Sequence, residues 1–453
     1  MHEQPQFRVS VPQQPIPQVV VAGDGFTPSE QHFGGIAFGH ETKERNPKGR
    51  STFAALEQRV FTSTFWLLCA GTVLFMASFG MLLPELPGYL ATYGAGHLIG
   101  WIVALFTVGA FFSRFFSGRI ADRAGRKPVM LFGTAVTSLA GLAYIGVGWL
   151  DDAAIAVSAF LVIRLLHGLS TGFRPTGTSA FLTDLVPVER RGEALGYLGV
   201  AGNAGMALGP SLGSWLAVDF GYDAMFAASS LLGVASYIMT RQLPETLPNA
   251  RPVSKEDLNV FQGGTVEPAA WPAALFLLPV AVAFGTFLTV TPDLVEGLGF
   301  VYKGSFNTIV VIASIAMRLV AGKASDKYGR PQLLLVGAVL LALGMWLFSA
   351  STSVPVLVAA GIVYGMSVGI NMPAIFAWTV DLAPEGKAAT ALGTMLMALE
   401  VGIGLGAFAS GSWYASDPSV LLSLYLGCAW CGVVGLGFIL WWMRVHKTER
   451  DNC

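Results

Sequence analysis

Charged residues are scarce in this chain of 453 residues: Asp, Glu, Lys and Arg make up 12% of it, against about 25% in an ordinary soluble domain. Hydrophobic residues account for 53% and the mean hydropathy is +0.60. A chain with so little charge cannot cover a water-exposed surface, so the composition indicates a membrane protein. The net charge of −1 argues against a nucleic-acid partner.

Cysteine is also rare, with four residues in the whole chain. Cys428 and Cys431 have CxxC spacing, but they lie inside an apolar run and no second pair exists. We therefore predict no metal site, no redox chemistry and no cofactor. The phosphate-binding pattern GxxxxGK[ST] is missing from the sequence, which argues against an ATP-driven pump.

One motif resembles that of an enzyme. Gly168-Leu-Ser-Thr-Gly172 fits GxSxG, the nucleophile elbow of hydrolases. It lies in an apolar run instead of a strand–turn–helix, and it recurs as Gly365-Met-Ser-Val-Gly369. Packing of small residues explains both copies, so we expect the protein not to be an enzyme.

A charged motif occurs twice, half a chain apart. The segment from Arg114 to Arg126 (RFFSGRIADRAGR) returns as the segment from Arg318 to Arg330 (RLVAGKASDKYGR). Every matched pair is 204 positions apart, from 114 and 318 to 126 and 330. Such a repeat between long apolar runs indicates two homologous membrane halves in a parallel arrangement, with a substrate path between them.

Apolar stretches of roughly 20 residues, each long enough to cross a bilayer, follow one another from about residue 61. The predicted fold class is an all-α membrane protein with twelve transmembrane helices in two six-helix halves related by a parallel repeat. The predicted spans are 62–83, 98–118, 128–149, 153–176, 192–216, 222–242, 272–292, 305–322, 331–350, 354–377, 388–413 and 419–443.

Lysine and arginine concentrate on alternate loops, and the opposite loops carry several aspartates and only Lys303 among the strong bases. The positive-inside rule then places both termini in the cytoplasm. The predicted regions are a disordered cytoplasmic tail (1–57), an N-terminal half (58–243), a cytoplasmic linker (244–270), a C-terminal half (271–445) and a cytoplasmic tail (446–453).

Between residues 60 and 443 the sequence resembles the major facilitator superfamily. Gly118-Arg-Ile-Ala-Asp-Arg-Ala-Gly-Arg-Lys127 matches the family's signature loop between its second and third spans. Arg164-Leu-Leu-His-Gly168 resembles its fourth-span motif, with histidine where glutamine is more usual. Leu243-Pro-Glu-Thr246 resembles the end of the sixth span in the proton-coupled exporters of the family. The resemblance implies the major facilitator fold and transport by alternating access.

A further match lies in the fifth predicted span. Its glycines permit close helix packing, and its proline removes a backbone donor and kinks the helix. From the fourth span onward the two halves align 197 positions apart, as Gly168 and Gly365 do. The repeat keeps Gly402 and Gly406 at the positions of Gly205 and Gly209, but has Ala407 in place of the proline. The pattern resembles the fifth-span motif of exporters, which implies a seal against leak. The motif residues are Gly205, Gly209, Pro210 and Gly213.

Both copies of the loop motif are predicted to form a cytoplasmic gate. Gly118 permits close helix approach, and Asp122 can accept hydrogen bonds from a helix N-terminus or pair with an arginine. The alternative is that the basic residues only set topology, but this would not require an acid at a fixed place. The resemblance implies a clamp that favours the outward-facing state. The predicted gate residues are Gly118, Asp122, Arg123, Gly125, Arg126, Gly322, Asp326, Gly329 and Arg330.

Arg164 lies about halfway along the fourth span, where a cation costs roughly 2.5–3.5 kcal/mol. Its repeat counterpart is Gly361, so the duplication does not demand it. The resemblance implies a role in proton coupling, and a structural arginine bound to backbone carbonyls is the alternative. His167 lies on the same helical face, and for it a structural role is preferred.

Arg174 lies nearer the cytoplasmic end of the same span. It is predicted either to bind an anionic group of the substrate or to extend to the membrane interface. Arg114 and Arg318 occur in both halves, directly before the gate loops. Their duplication favours a structural role, such as pairing with the acids of those loops.

Glu400 is the predicted proton carrier, because it is the one ionisable residue between Leu392 and Phe408. Its repeat counterpart is Asn203, so a hydrogen bond between the two that holds the halves together is the alternative. Glu85 and Asp293, near the outer ends of spans one and seven, are alternative carriers. Their neighbouring prolines favour a role at helix ends.

The sequence thus predicts a secondary active transporter, with proton-coupled export (antiport) of a small organic compound as the favoured function. The alternative is a proton-coupled importer (symporter) of a sugar, an organic acid or another nutrient. A non-transporting membrane receptor or enzyme is a remote alternative. The expected partners are a small-molecule substrate, protons and the lipid bilayer, without nucleic acid. A functional monomer in the cell membrane is expected.

Overall fold

The computed structural model describes residues 61–187, 190–253, 266–385, 387–415 and 417–451, without the side chains of Lys323, Asp326 and 447–451. The predicted tail 1–57 lies outside the described residues, and so do residues 254–265 of the predicted linker.

Twelve long helices form within these ranges. They are α1 (Ser63–Leu82), α2 (Ile99–Ala124), α3 (Arg126–Val147), α4 (Ala153–Leu185), α5 (Arg191–Phe220), α6 (Tyr222–Gln242), α7 (Trp271–Gly297), α8 (Lys303–Tyr328), α9 (Arg330–Ser349), α10 (Val354–Leu382), α11 (Ala388–Tyr414) and α12 (Leu421–Asp451). A short helix, Leu86–Ala91, follows α1 after a break of three residues.

Eleven of the twelve described helices are long and apolar enough to cross a membrane, and α5 is not among them. Glycines and polar residues such as Asn203 lower the apolar content of α5. It nevertheless packs along α1, a membrane-spanning helix, and takes the fifth place in its half.

Several helices run further than the predicted spans. Helix α4 continues to Leu185, nine residues beyond the predicted end at 176, and α10 continues to Leu382. Helix α7 passes through Pro292, the predicted end of its span, and stops at Gly297. The predictions followed the apolar runs, whereas a helix continues wherever its backbone remains hydrogen-bonded.

The two halves repeat the same packing. In the first half, α1 packs against α5 and α6, α2 against α4, and α3 against α4 and α6. In the second half, α7 packs against α11 and α12, α8 against α10, and α9 against α10 and α12. Each contact of the first half has its counterpart six helices later, so the predicted parallel repeat is confirmed.

The halves meet mainly through two helix pairs, α2 with α11 and α5 with α8. These pairs are themselves repeat counterparts. The bundle has two ends, which we name by their loops. The basic face carries the α2–α3, α4–α5, α6–α7, α8–α9 and α10–α11 loops, with Arg123, Arg190, Arg241, Lys327 and Lys387. The acidic face carries the other loops, with Asp151, Asp152, Asp219, Asp223 and Asp417.

Contact between the halves is tight toward the acidic face. A Cβ atom added at Gly100 of α2 would lie 2.7 Å from the carbonyl oxygen of Ala407 in α11. One added at Gly304 of α8 would clash with the carbonyl of Pro210 in α5. Beside this second contact, the hydroxyls of Ser211 and Thr308 hydrogen bond at 2.8 Å.

Toward the basic face the same four helices stand apart. A Cβ atom built on Gly118 of α2, Gly196 of α5, Gly322 of α8 or Gly393 of α11 would meet no described heavy atom within 4 Å, apart from its chain neighbours and the nearby backbone of its own helix. The bundle is therefore closed near its acidic face and open between the halves near its basic face.

Candidate functional site

A cavity of about 340 Å³ lies between the halves, nearer the basic than the acidic face, and we call it the central cavity. Helices α1, α4 and α5 form most of its wall, and α8 of the second half supplies one residue, Arg318. Its lining includes Phe75, Arg174, Leu198, Asn203, Met206 and Arg318. Arg318 also borders two adjoining cavities of about 210 and 160 Å³ on the side of the second half.

Arg174 is 1% exposed, and none of its three guanidinium nitrogens has a hydrogen-bond partner among the described residues. Its Cζ atom lies 5.6 Å from the centre of the Phe75 ring, which also lines the central cavity. The guanidinium is thus inside the bundle and not at the membrane interface. Within the described part of the chain, no carboxylate compensates this charge for its lost hydration.

Arg164 lies deeper in α4, where it is 1% exposed. Its Nε donates to the carbonyl oxygen of Ile102 at 3.0 Å, and its Cζ atom lies 4.5 Å from the centre of the Phe106 ring. The two terminal nitrogens have no partner among the described side chains and carbonyls. The described contacts of this guanidinium are thus one backbone carbonyl and one aromatic face.

His167 is fully buried beside Arg164. The centre of its ring is 5.6 Å from that of Phe106 and 6.2 Å from those of Phe79 and Tyr144. Neither ring nitrogen has a hydrogen-bond partner within the described part of the chain. His167 is packed as a core residue, and it is not among the residues that line the central cavity.

Glu400, at mid-length in α11, pairs with Arg114 of α2 across the interface between the halves. Nη2 of Arg114 donates to Oε1 of Glu400 at 2.5 Å and Nε donates to the same oxygen at 3.1 Å. The side chains are 16% and 7% exposed, so the pair is largely shielded from water. The prediction that Arg114 pairs with a loop acid is wrong. Because α2 packs against α11, the guanidinium of Arg114 lies against Glu400 instead.

Asn203 does not hydrogen bond to Glu400, contrary to the alternative drawn from the repeat. It lies on α5 and borders the central cavity and the cavity of about 160 Å³, together with Arg318 of α8. The interface pairs α2 with α11 and α5 with α8. Repeat counterparts on α5 and α11 therefore face different partners.

Glu85 and Asp293 lie near the acidic face, away from the central cavity. Glu85 is 2% exposed and accepts a hydrogen bond from the hydroxyl of Ser214, which in turn accepts from the backbone N–H of Gly304 at 2.7 Å. Asp293 borders a cavity of about 500 Å³ that also contains Lys303 and Tyr414. Glu85 thus takes part in the closed contact between α5 and α8.

The first copy of the gate motif forms a network within its own half. Nη1 of Arg126 donates to Asp122 at 2.6 Å, and its Nε donates to Asp184 of α4 at 3.0 Å. Glu245 accepts from the backbone N–H groups of Arg126 and Lys127 at 2.9 and 3.0 Å. Gly125 precedes α3 with φ +111°, a conformation that favours glycine.

The second copy is similar. Nε of Arg330 donates to Asp381 of α10 at 3.1 Å, and Gly329 has φ +94°. The side chain of Asp326 lies outside the described part. The described gate contacts are made within one half or with the segment that follows α6. Gly118 and Gly322 face open space. Arg123 lies at the end of α2, and its carbonyl accepts from the N–H of Arg251 at 2.8 Å.

The fifth-span glycines face α1. Added Cβ atoms at these positions would clash with backbone carbonyls of α1, which explains why α5 has no side chain there. Pro210 lies inside α5 without ending it, and its own carbonyl faces Gly304 of the other half. The glycines that face α1 are Gly205, Gly209 and Gly213.

Comparison with known proteins settles the family. A profile of the Major Facilitator Superfamily matches residues 68–310 and 274–453, which together cover most of the chain. The chain belongs to the major facilitator superfamily. It is a multi-pass membrane transporter and not an enzyme.

Relatives within the superfamily include named efflux proteins. The multi-drug resistance efflux pump PmrA of Streptococcus pneumoniae is 28% identical over 70% of this chain and 80% of its own length. Multidrug resistance protein 2 of Bacillus subtilis is 29% identical over 40% of this chain, a match that spans 44% of that protein.

The fold recurs in solved major facilitator structures. The crystal structure of a D-xylose–proton symporter matches with a TM-score of 0.67 over 83% of this chain and 96% of the other, at 16% identity.

Sequence reasoning missed several residues that the structure brings together. Asp184 and Asp381 bind Arg126 and Arg330 in the same way. The two aspartates are repeat counterparts, 197 positions apart, and this was the signal that could have identified them. Glu245 carried no such signal, because its partners are backbone N–H groups at the start of α3.

Proposed function

We propose that this protein is a proton-coupled exporter of small organic compounds in the cell membrane, with its basic face and both termini in the cytoplasm. The concentration of lysine and arginine on that face supports the orientation. In this orientation the central cavity faces the cytoplasm, ready to take up a compound from inside the cell. The efflux relatives and the fifth-span motif support export over import.

The ion pair between Arg114 and Glu400 carries the proposal. It links the two halves at mid-depth, on one of the two helix pairs that join them. A proton bound to Glu400 removes the charge that holds Arg114, so it weakens the link between α2 and α11. Release of the proton restores the link. Proton binding and the relative position of the halves are therefore coupled through this pair.

The direction of transport is tested in two steps. Mass spectrometry of cells with and without the protein first identifies compounds whose accumulation the protein lowers. Such a compound is then added outside inverted vesicles with an acidified lumen. We expect it to accumulate in the lumen, and a protonophore should abolish that accumulation. Uptake into right-side-out cells driven by an inward proton gradient would establish the importer alternative instead.

A further inference from the structure

Arg318 is the repeat counterpart of Arg114, but it lacks the partner that Arg114 has. Arg114 on α2 pairs with Glu400 on α11. The equivalent helices on the other side of the interface are α8 and α5, where Arg318 borders the same cavities as Asn203. Asparagine stands where a glutamate would complete the second pair. The duplicated interface has therefore kept both arginines and only one carboxylate.

The guanidinium of Arg318 is accordingly unpaired. No hydrogen bond or ion pair joins it to another described residue, and its Nε is buried without an acceptor. Arg174 is in the same condition, with all three guanidinium nitrogens buried and unpartnered in the described part of the chain. Buried charges in proteins are normally paired, because an unpaired one loses its hydration without compensation.

Both unpaired arginines line the central cavity. Arg174 comes from α4 of the first half and Arg318 from α8 of the second. The carboxylate at the same depth, Glu400, is engaged by Arg114, and Glu85 and Asp293 lie toward the acidic face. The cavity thus has an excess of positive charge that no described acid offsets.

The remaining lining is mainly apolar. Phe75, Met76, Leu195, Leu198 and Met206 surround the arginines in the central cavity. The adjoining cavity of about 210 Å³ adds further apolar side chains from α7 and α10. A site of about 340 Å³ falls in the range of small-molecule pockets, roughly 300–1,000 Å³.

We propose that Arg174 and Arg318 form a two-sided site for the anionic group of an amphipathic organic substrate, such as an aromatic carboxylate or sulfonate. The apolar wall takes the body of the molecule. The site draws one arginine from each half, so an anion bound between them links the halves. The proposal names the substrate class of the exporter described above and rests on that function for its role in transport.

The test uses matched pairs of probes that differ in charge. One pair is fluorescein, a xanthene anion, and rhodamine 123, a cation with the same ring system. A second pair is 2-naphthoate and 2-naphthyltrimethylammonium. Binding to the purified full-length protein in lipid nanodiscs is measured by fluorescence. We expect the anionic member of each pair to bind more tightly than the cationic member.

The repeat also suggests a substitution that tests the site without removing an arginine. Asn203→Glu supplies the missing carboxylate, so it should pair with Arg318 and weaken anion binding by about tenfold or more, the loss typical of a charged hydrogen bond. Arg174→Gln and Arg318→Gln should each weaken it by a similar factor. Asn203→Gln lengthens the side chain in the same way without adding charge, so it is the matched comparison and should bind the anions at least tenfold more tightly than Asn203→Glu does. Ser158→Ala, at an exposed residue of α4 outside the cavities, should leave anion binding unchanged. Arg318→Lys should retain part of the affinity.

Four results would overturn the proposal. The first is tighter binding of the cationic probes, and the second is equal affinity of Asn203→Glu and Asn203→Gln for the anions. The third is an affinity of Arg174→Gln and Arg318→Gln that is unchanged from wild type, and the fourth is anion binding by the wild type that does not exceed the background measured with Arg318→Gln. If Arg174→Gln does not fold, Arg318→Gln and Asn203→Glu still decide the matter. If inverted vesicles accumulate the anions but a protonophore has no effect, proton coupling is overturned and the anion site stands.

Discussion

Arg114 and Glu400 join the two halves of the bundle through an ion pair of 2.5 Å at mid-depth in the membrane. Arg114 lies fifteen residues from the start of α2 and Glu400 twelve residues from the start of α11, and these helices run in opposite directions. A carboxylate in this position has one dominant partner, and that partner belongs to the other half. The charge on Glu400 is therefore part of the contact between the halves.

The first prediction concerns this carboxylate. Glu400→Gln keeps the size of the side chain and removes its charge, so substrate binding should remain detectable while proton-driven accumulation is lost. The measurement is proton release or uptake by the purified protein in weak buffer when substrate is added. Glu193→Gln, at an exposed acid of α5 that pairs with Arg190 just before the helix, is the matched control and should behave as wild type. Proton exchange at the normal ratio by Glu400→Gln would transfer the role to Glu85 or Asp293.

The architecture was predictable because it depends on features that a sequence displays. Spans of roughly 20 apolar residues and a motif repeated at a fixed distance determine twelve helices in two halves. The partners of the charged residues were not predictable in the same way. Arg114 meets Glu400 only because α2 packs against α11, and nothing in the spacing of either residue encodes that contact.

The repeat showed which residues of the two halves are equivalent, but not which residues they contact. It correctly related Glu400 to Asn203 and Arg114 to Arg318. At the interface, each helix packs against a helix of the other half that is not its own repeat counterpart: α2 faces α11 and α8 faces α5. Two equivalent residues therefore never face each other, which is why a Glu400–Asn203 hydrogen bond is not found. Only the folded chain shows that the unmatched arginine, Arg318, borders the central cavity.

The second prediction concerns Glu245, which caps the N-terminus of α3. Its two carboxylate oxygens accept from the N–H groups of Arg126 and Lys127, which have no acceptor within the helix. Glu245→Ala should reduce stability by about 0.5–2 kcal/mol, the usual cost of losing a cap. Glu245→Gln retains one acceptor and should fall between. Thermal unfolding checks this, with the exposed Glu385→Ala as control; equal melting temperatures for all three variants would contradict it.

The third prediction concerns the gate. Asp122→Asn should lower the transport rate several-fold without lowering the melting temperature, because Asp122 is 71% exposed and a surface ion pair contributes only about 0–1 kcal/mol. Arg126 remains bound to Asp184 in this variant. Asp326→Asn should have a milder effect, since the second motif is the less faithful copy. Wild-type transport rates in both variants would leave the motif with a role in topology alone.

The last prediction contrasts two glycines of α8. Gly304 lies against Pro210 where the halves are closed, and Gly322 faces open space where they stand apart. Valine at 304 should hold the acidic face open, because its side chain cannot fit against the carbonyl of Pro210. A Cβ atom at 322 would meet no described atom of another helix within 4 Å in this conformation. Valine there should nevertheless obstruct closure at the basic face. Both variants should lose transport, for opposite reasons.

The two effects are separated by labelling at Ser211, whose hydroxyl bonds to Thr308 in the closed contact. Ser211→Cys is introduced into a chain whose four native cysteines are replaced, and a membrane-impermeant thiol reagent is applied from the acidic face. Labelling should rise with Gly304→Val and fall below that of the parent with Gly322→Val, since the parent samples both conformations and the second variant cannot. Equal labelling of the two variants would show that these glycines do not control opposite faces of the bundle.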